Sequence, residues 1–150
     1  MSTLLLQENK QARFDYHILE TFEAGIVLIG SEVKALRLKQ IQFKDSYISF
    51  RGSEAFLQNA HISEYKASSY NNHAPERLRK LLLNKAELIE IETGINEKGL
   101  TCVPLKIYFK EGLVKLEIAL VKGKKIHDKR EAIKKRDVDQ QLRRAKQHDR

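Results

Sequence analysis

The stretch Cys102-Val103-Pro104-Leu105-Lys106-Ile107-Tyr108-Phe109 decides the fold class, together with Leu113-Val114-Lys115-Leu116-Glu117-Ile118-Ala119-Leu120 beyond Lys110-Glu111-Gly112. Both halves follow period two, the spacing at which successive side chains fall on opposite faces of a strand. The Gly-containing break between them predicts an antiparallel hairpin. Pro104 has no N–H to give a ladder, so it is expected at a bulge or an open edge.

Working outward, the same alternation recurs. His17, Leu19 and Thr21 alternate with Ile18, Glu20 and Phe22, and lead into the apolar run Gly25-Ile26-Val27-Leu28-Ile29. Tyr47-Ile48-Ser49-Phe50 and Ala55-Phe56-Leu57, joined through Arg51-Gly52-Ser53, read as a second hairpin. Two helices interrupt the strands. One covers Ser31 to Arg37, with Val33 and Leu36 a turn apart and Lys34 and Arg37 on a neighbouring face. The other starts at Asn84, which can cap it while Glu87 reaches back. Its stripe is Leu88, Ile91 and Ile95, with Gly94 and Gly99 expected to end it. The fold class is therefore mainly β with short helices, and a small barrel of the oligonucleotide-binding (OB) kind is the natural architecture.

The charge is unevenly placed. Residues 122–150 hold twelve Lys/Arg against five Asp/Glu, whereas residues 1–121 hold sixteen against fifteen. The division expected is a near-neutral body, 1–121, and a basic C-terminal tail, 122–150. Such a cationic arm suits phosphate. Val138, Leu142 and Ala145 make a stripe too thin for a free-standing helix, so the tail is expected to be flexible when free and to order against RNA. No apolar run approaches the ~20 residues that span a bilayer. Leu4, Leu5 and Leu6 are too short a cluster for a signal sequence. The lone Cys102 excludes an internal disulfide and a multi-cysteine metal site. A reduced, cytoplasmic setting without membrane contact, and a monomer, are expected.

Signals of enzymatic chemistry are weak. Cys102 sits in an apolar strand pattern, where a buried thiol is the simpler reading. His17, His61, His73, His127 and His148 have no metal-ligand spacing, and no phosphate-cradling loop or nucleophile elbow is present. No catalytic residue, metal or cofactor is expected. Signals of binding are stronger. Arg77, Arg79 and Lys80 follow a polar loop, 68–75, whose Tyr70 and His73 could stack on bases. The plainer alternative for that cation cluster is a solvated helix start. In the tail, Gly123-Lys124-Lys125-Ile126-His127-Asp128-Lys129-Arg130 mixes a hinge, an anchor and a ring among its charges, more than solubility needs.

Ordered blocks along the chain resemble the bacterial SmpB family, the tmRNA-binding (SsrA-binding) proteins. They include Asn9-Lys10-Gln11-Ala12-Arg13-Phe14-Asp15-Tyr16, Phe22-Glu23-Ala24-Gly25-Ile26 and Gly30-Ser31-Glu32-Val33-Lys34-Ala35-Leu36-Arg37. Further blocks are Lys44-Asp45-Ser46-Tyr47, Asn59-Ala60-His61-Ile62, Arg79-Lys80-Leu81-Leu82-Leu83, Val103 to Phe109 and Lys122 to Arg130. The resemblance implies an OB-like barrel that binds the tRNA-like domain of tmRNA and delivers it to stalled ribosomes for trans-translation. It implies tmRNA binding through Asn9, Glu23 and Leu82, beside which the cations Lys10, Arg13, Arg77, Arg79 and Lys80 are expected to lie. Gly123, Lys124, Lys125, His127, Asp128, Lys129 and Arg130 would then serve the small-subunit decoding centre and the empty mRNA channel, where the tail becomes helical. Gln11, Phe14 and Ala74 depart from the family pattern, which usually has a basic residue, a histidine and an Asp there. Another ribosome-bound OB-fold protein, such as a ribosomal protein or initiation factor, is the alternative, and an enzyme acting on RNA a third.

Overall fold

A computed structural model describes residues 3–65 and 72–124. In chain order the elements are β1 (Thr3–Glu8), α1 (Lys10–Asp15), β2 (Tyr16–Ile26), α2 (Gly30–Arg37), β3 (Ile41–Gln42), β4 (Tyr47–Arg51), β5 (Glu54–Gln58), β6 (His61–Ile62), β7 (Arg79–Leu82), α3 (Lys85–Lys98), β8 (Thr101–Lys110) and β9 (Leu113–Gly123).

The hairpin that opened the reading is the centre of the fold. β8 and β9 pair from Lys110↔Leu113 back to Thr101↔Val121. The two-residue turn places both Glu111 (φ 53°) and Gly112 (φ 78°) in the left-handed region, the geometry that matches the twist of the flanking strands. The register slips between Pro104 and Lys106, so Pro104 sits at the expected bulge. β9 is itself sandwiched by β2, and the full antiparallel order is β1-β8-β9-β2-β7-β5-β4. β3 and β6 make a separate two-stranded ribbon.

The ladders leave the sheet open. β4 and β1 are its edges, and no backbone ladder joins β4 to β8 among the described residues, although the two strands pack together. The antiparallel β class stands, but hydrogen bonding does not close it into a barrel. Inward-facing Phe22, Ala24 and Ile26 of β2 meet Leu116, Ile118 and Leu120 of β9, Leu57 of β5, Leu36 of α2 and Ile91 of α3 in the main core. On the opposite face α1 covers a smaller cluster, in which Ala12 meets Val103, Leu105, Ala119 and Val121. Burial at about 25 cal/mol per Å² of apolar surface makes these two clusters the main source of stability.

One alternative reading and two expectations need correction. The segment from Arg79 is a strand, β7, paired with β2 and β5, because Leu81 alternates inward between outward Lys80 and Leu82. Gly94 does not end α3; it lies buried inside the helix against Leu120, while Gly99 does end it in the left-handed conformation (φ 65°). The paired body also runs past residue 121. Gly123 pairs with Tyr16, and the Lys124 N–H donates to Asp15 O at 3.0 Å.

Candidate nucleic-acid interface

The sheet face opposite the main core is open beyond α1, and the alternation of its strands decides what it presents. On β8, Lys106 and Lys110 point outward, and Tyr108 lies on the same side of the strand but is only 6% exposed. Lys115 and Glu117 point outward on β9, Glu23 on β2, and Lys80 and Leu82 on β7. Glu23 lies opposite Glu117 in the ladder, and Gly25 lies opposite Leu82. Leu82 is 54% exposed, an apolar side chain beside charged neighbours.

Glu23 is the hub of this face. Its Oε2 accepts from the Tyr108 hydroxyl at 2.5 Å, and Lys110 Nζ donates to both carboxylate oxygens at 3.3 Å. The Tyr108 bond, against some desolvation, holds the Glu23 carboxyl below its ordinary range. Burial and the same bond push the Tyr108 phenol up, so the hydroxyl stays a donor. A fixed carboxylate of this kind offers acceptor oxygens to a base edge or a 2′-hydroxyl, while the lysines around it meet phosphate. Glu117 carries the charge pattern on toward α1: Lys106 lies 3.7 Å and Arg13 4.0 Å from its carboxylate, and Arg13 also reaches Glu8 at 3.4 Å. Lys80 pairs with Glu54 at 3.2 Å. These pairs are half exposed and worth about 0–1 kcal/mol each, so they are easily exchanged for other charged partners.

The other candidate residues divide sharply. Lys10 is exposed at the start of α1. Asn9 is buried and occupied: its Oδ1 caps α1 by accepting from the Ala12 N–H, its Nδ2 donates to Pro104 O at 2.8 Å, and its own N–H donates to Leu105 O at 2.7 Å. It therefore fixes α1 to β8 and positions Lys10 and Arg13. Arg79 is a correction, because it is wholly buried and has no surface to offer a phosphate. Its guanidinium donates to Glu32 Oε2, Ala60 O and Pro75 O. Arg77 is partly exposed and donates to Glu32 Oε1 at 2.6 Å and Val27 O at 3.2 Å. Burial alone would raise the Glu32 carboxyl, but Arg77, the Ile29 amide and Arg79 together hold it below the ordinary range.

His73 also belongs to this buried network. Its Nε2 lies 2.8 Å from Ile62 O, which can only accept, so Nε2 carries the proton and Nδ1 accepts from the Ser31 hydroxyl at 2.8 Å. It is 4% exposed and so is no stacking platform. Tyr70 lies outside the described residues, as do Lys125, His127, Asp128, Lys129 and Arg130. Gly123 and Lys124 are described, and Lys124 Nζ donates to Arg13 O at 3.4 Å, which sets the start of the tail beside α1. Cys102 is buried, and burial pushes its thiol up to about 12, so it is no nucleophile. Among the described residues no group of three or more His, Cys, Asp or Glu could hold a metal, and no helix is long and apolar enough to cross a membrane.

Sequence reasoning missed Tyr108, Lys110, Lys106 and Glu117 as members of this face. The signal was there, since period two in β8 puts Lys106, Tyr108 and Lys110 on the side away from Ile107 and Phe109.

This arrangement can be set against known proteins. The family model described as SmpB protein matches residues 6–148. An SsrA-binding protein of Bdellovibrio bacteriovorus is 71% identical over 140 residues, which span 93% of this chain and 92% of that protein. One of Syntrophobacter fumaroxidans is 53% identical over 140 residues, covering 93% and 87%. A chain of the solved structure described as "tmRNA-SmpB: a journey to the center of the bacterial ribosome" is 48% identical, with a TM-score of 0.69 over 85% of this chain and 93% of that one. The family model spans nearly the whole chain and the relatives are similar over most of their own length, so the chain belongs to the SmpB family.

Proposed function

We propose that this chain binds tmRNA through the open face of its sheet and acts with it on the ribosome in trans-translation. The observation that carries this reading is 71% identity, over 140 residues, to an SsrA-binding protein. The face built around Glu23 supports it physically. It combines a fixed carboxylate, lysines held only by exposed ion pairs and an exposed leucine, while the buried Tyr108 holds the carboxylate in place, a mixture that reads RNA shape and base edges as well as phosphate. The protein is a binder rather than an enzyme, works as a monomer in the cytoplasm, and holds an OB-like architecture in which packing of β4 on β8 replaces a closing ladder.

The basic tail is proposed to enter the empty mRNA channel of a stalled small subunit and to become helical there, with Lys125, His127, Asp128, Lys129 and Arg130 near the decoding centre. A channel vacant only when mRNA is missing makes its own occupancy the test for stalling. The first experiment is tmRNA binding at fixed moderate salt by the native chain, Glu23→Ala and Leu82→Ala. Both substitutions should weaken binding about tenfold while Tm changes little; unchanged affinity in both would remove the face from the reading. The second is peptide tagging on ribosomes stalled at the end of a stop-less message. Replacing Asp128, Lys129 and Arg130 by Ala removes only one net positive charge, so tagging at the normal rate would make the tail an electrostatic tether and nothing more.

A further inference from the structure

A second feature of the surface has no part in the face just described. Between α1 and the turn that leads into β4 lies a cleft of about 170 Å³, lined by Tyr16, Lys44, Asp45, Ser46, Tyr47 and Thr101 among others. At roughly 30 Å³ per water, it has room for a handful of waters or for one planar heterocycle. A shallower groove, which shares Asn9, Gln11, Lys44 and Asp45 with it, runs past Lys10.

Two polar groups in the cleft are not used by the fold. Ser46 is 5% exposed, and its Oγ has no hydrogen-bond partner among the described residues. A buried hydroxyl left unmatched costs about 1–3 kcal/mol, which makes it an expensive feature to keep for packing alone. The Asp45 carboxylate is exposed next to it and takes part in no hydrogen bond or ion pair among the described residues. The turn is not loose, for the Ser46 N–H donates to Phe43 O at 2.9 Å and Lys44 takes a left-handed φ of 47°. The cleft thus offers two tyrosine rings, Tyr16 and Tyr47, the Asp45 carboxylate, which only accepts, and a hydroxyl that does either, beside the Asp15 carboxylate, which already accepts from Gln11 at 3.0 Å.

We propose that this cleft receives one unstacked guanine of an RNA partner. Guanine is the base whose Watson–Crick edge presents adjacent N1–H and N2–H donors, and a carboxylate accepts both at once. Ser46 Oγ meets a remaining polar atom of the base, and the tyrosine rings flank its plane, as aromatic side chains do for splayed-out bases. Lys10 and Lys44, on the groove leading in, meet the phosphates on either side. Lys44 leaves its 3.4 Å pairing with Glu76 to do so, a half-exposed contact of little cost. The proposal rests on the reading of the chain as a tmRNA binder and adds a base-specific subsite to it.

The test uses the full chain, tmRNA and kethoxal, which modifies N1 and N2 of unpaired guanines. Native protein should protect one unpaired guanine that Asp45→Asn and Ser46→Ala leave reactive, while the rest of the footprint is kept. Ser46→Ala should lower RNA affinity about three- to tenfold with Tm unchanged or higher, because removal of an unmatched hydroxyl relieves the fold. Inosine at the protected position, which lacks the N2 amino group, should weaken the native complex by a similar factor and leave the Asp45→Asn complex unaffected. Retained protection of every guanine in both variants, or a Ser46→Ala loss of affinity that only follows a fall in Tm, overturns the proposal. If native protein gives no footprint on tmRNA at all, the parent reading fails instead.

Discussion

Glu32 is the residue on which the loop side of the molecule depends. It is fully buried, with Arg79 also buried on one oxygen and half-buried Arg77 on the other. To break such a pair from one side leaves a buried cation without its counter-charge, which costs about 3–5 kcal/mol. Glu32→Gln is therefore expected to lower stability at neutral pH by about that amount in urea unfolding, whereas Glu54→Gln, in a surface pair, should change it by less than about 1 kcal/mol. The pH dependence has a definite sign. The folded Glu32 carboxyl titrates below its ordinary value of 4.5, so its contribution is complete above that value and is lost as pH falls through the folded pKa. Native Tm should thus fall more steeply than that of Glu32→Gln on acidification below about pH 4.5. Parallel curves would remove Glu32 as the cause. On the open face, Tyr108→Phe keeps the ring and removes only the donor. The Glu23 carboxyl, followed by NMR, should then titrate higher, toward the ordinary range; an unmoved titration would mean that Lys110 alone sets it.

Among the elements, α3 shows how helix propensity and packing compete. Ala in place of Gly94 would favour the helix by about 1 kcal/mol. A Cβ there, however, would stand 2.9 and 3.0 Å from the two methyls of Leu120, itself a core residue. Overpacking of this kind costs about 1–3 kcal/mol, so Gly94→Ala is expected to destabilise by roughly 1 kcal/mol net. The same change in a Leu120→Ala background should stabilise, since the methyls are gone; a destabilisation of equal size in both would put the cost elsewhere than at Leu120. Gly94 also marks where local reading stops. Both hairpins, the Asn84 cap and the Pro104 bulge were legible because turn residues, caps and period two act over a few positions. That Gly94 continues its helix depends on Leu120, and that Arg79 lies in a strand depends on Glu32 and the strands beside it. Asn9 could be recognised by resemblance, but its work of tying α1 to Pro104 and Leu105 lies 95 residues away in the chain. Of the candidate interface, Glu23 and Leu82 were found by resemblance. Tyr108 and Lys110 were overlooked, since only the ladder brings β8 beside β2 through β9.

At the scale of the whole molecule, the described body runs past residue 121 as far as Lys124. A chain cut after Lys124 should keep the native Tm, while one cut after Lys122 loses the Gly123–Tyr16 pair and the Lys124 bond to Asp15. Two bonds of about 1 kcal/mol each, at a frayed strand end, predict a drop in Tm of a few degrees for the shorter chain. Equal Tm values would show that the sheet ends earlier than its pairing indicates.

β9 has a mechanical side as well. Glu117 faces Glu23, and six residues later Gly123 is the last paired position among the described residues. At about 3.4 Å per residue, the strand is a rod that holds the Glu23 face and the root of the basic arm roughly 20 Å apart. A rod transmits position where a tether would transmit only proximity. Slack added at its end should therefore be costly even though no contact is removed. Four Gly-Ser residues inserted between Lys124 and Lys125 are expected to leave tmRNA affinity intact and to slow tagging, as the effective concentration of the arm at its channel falls.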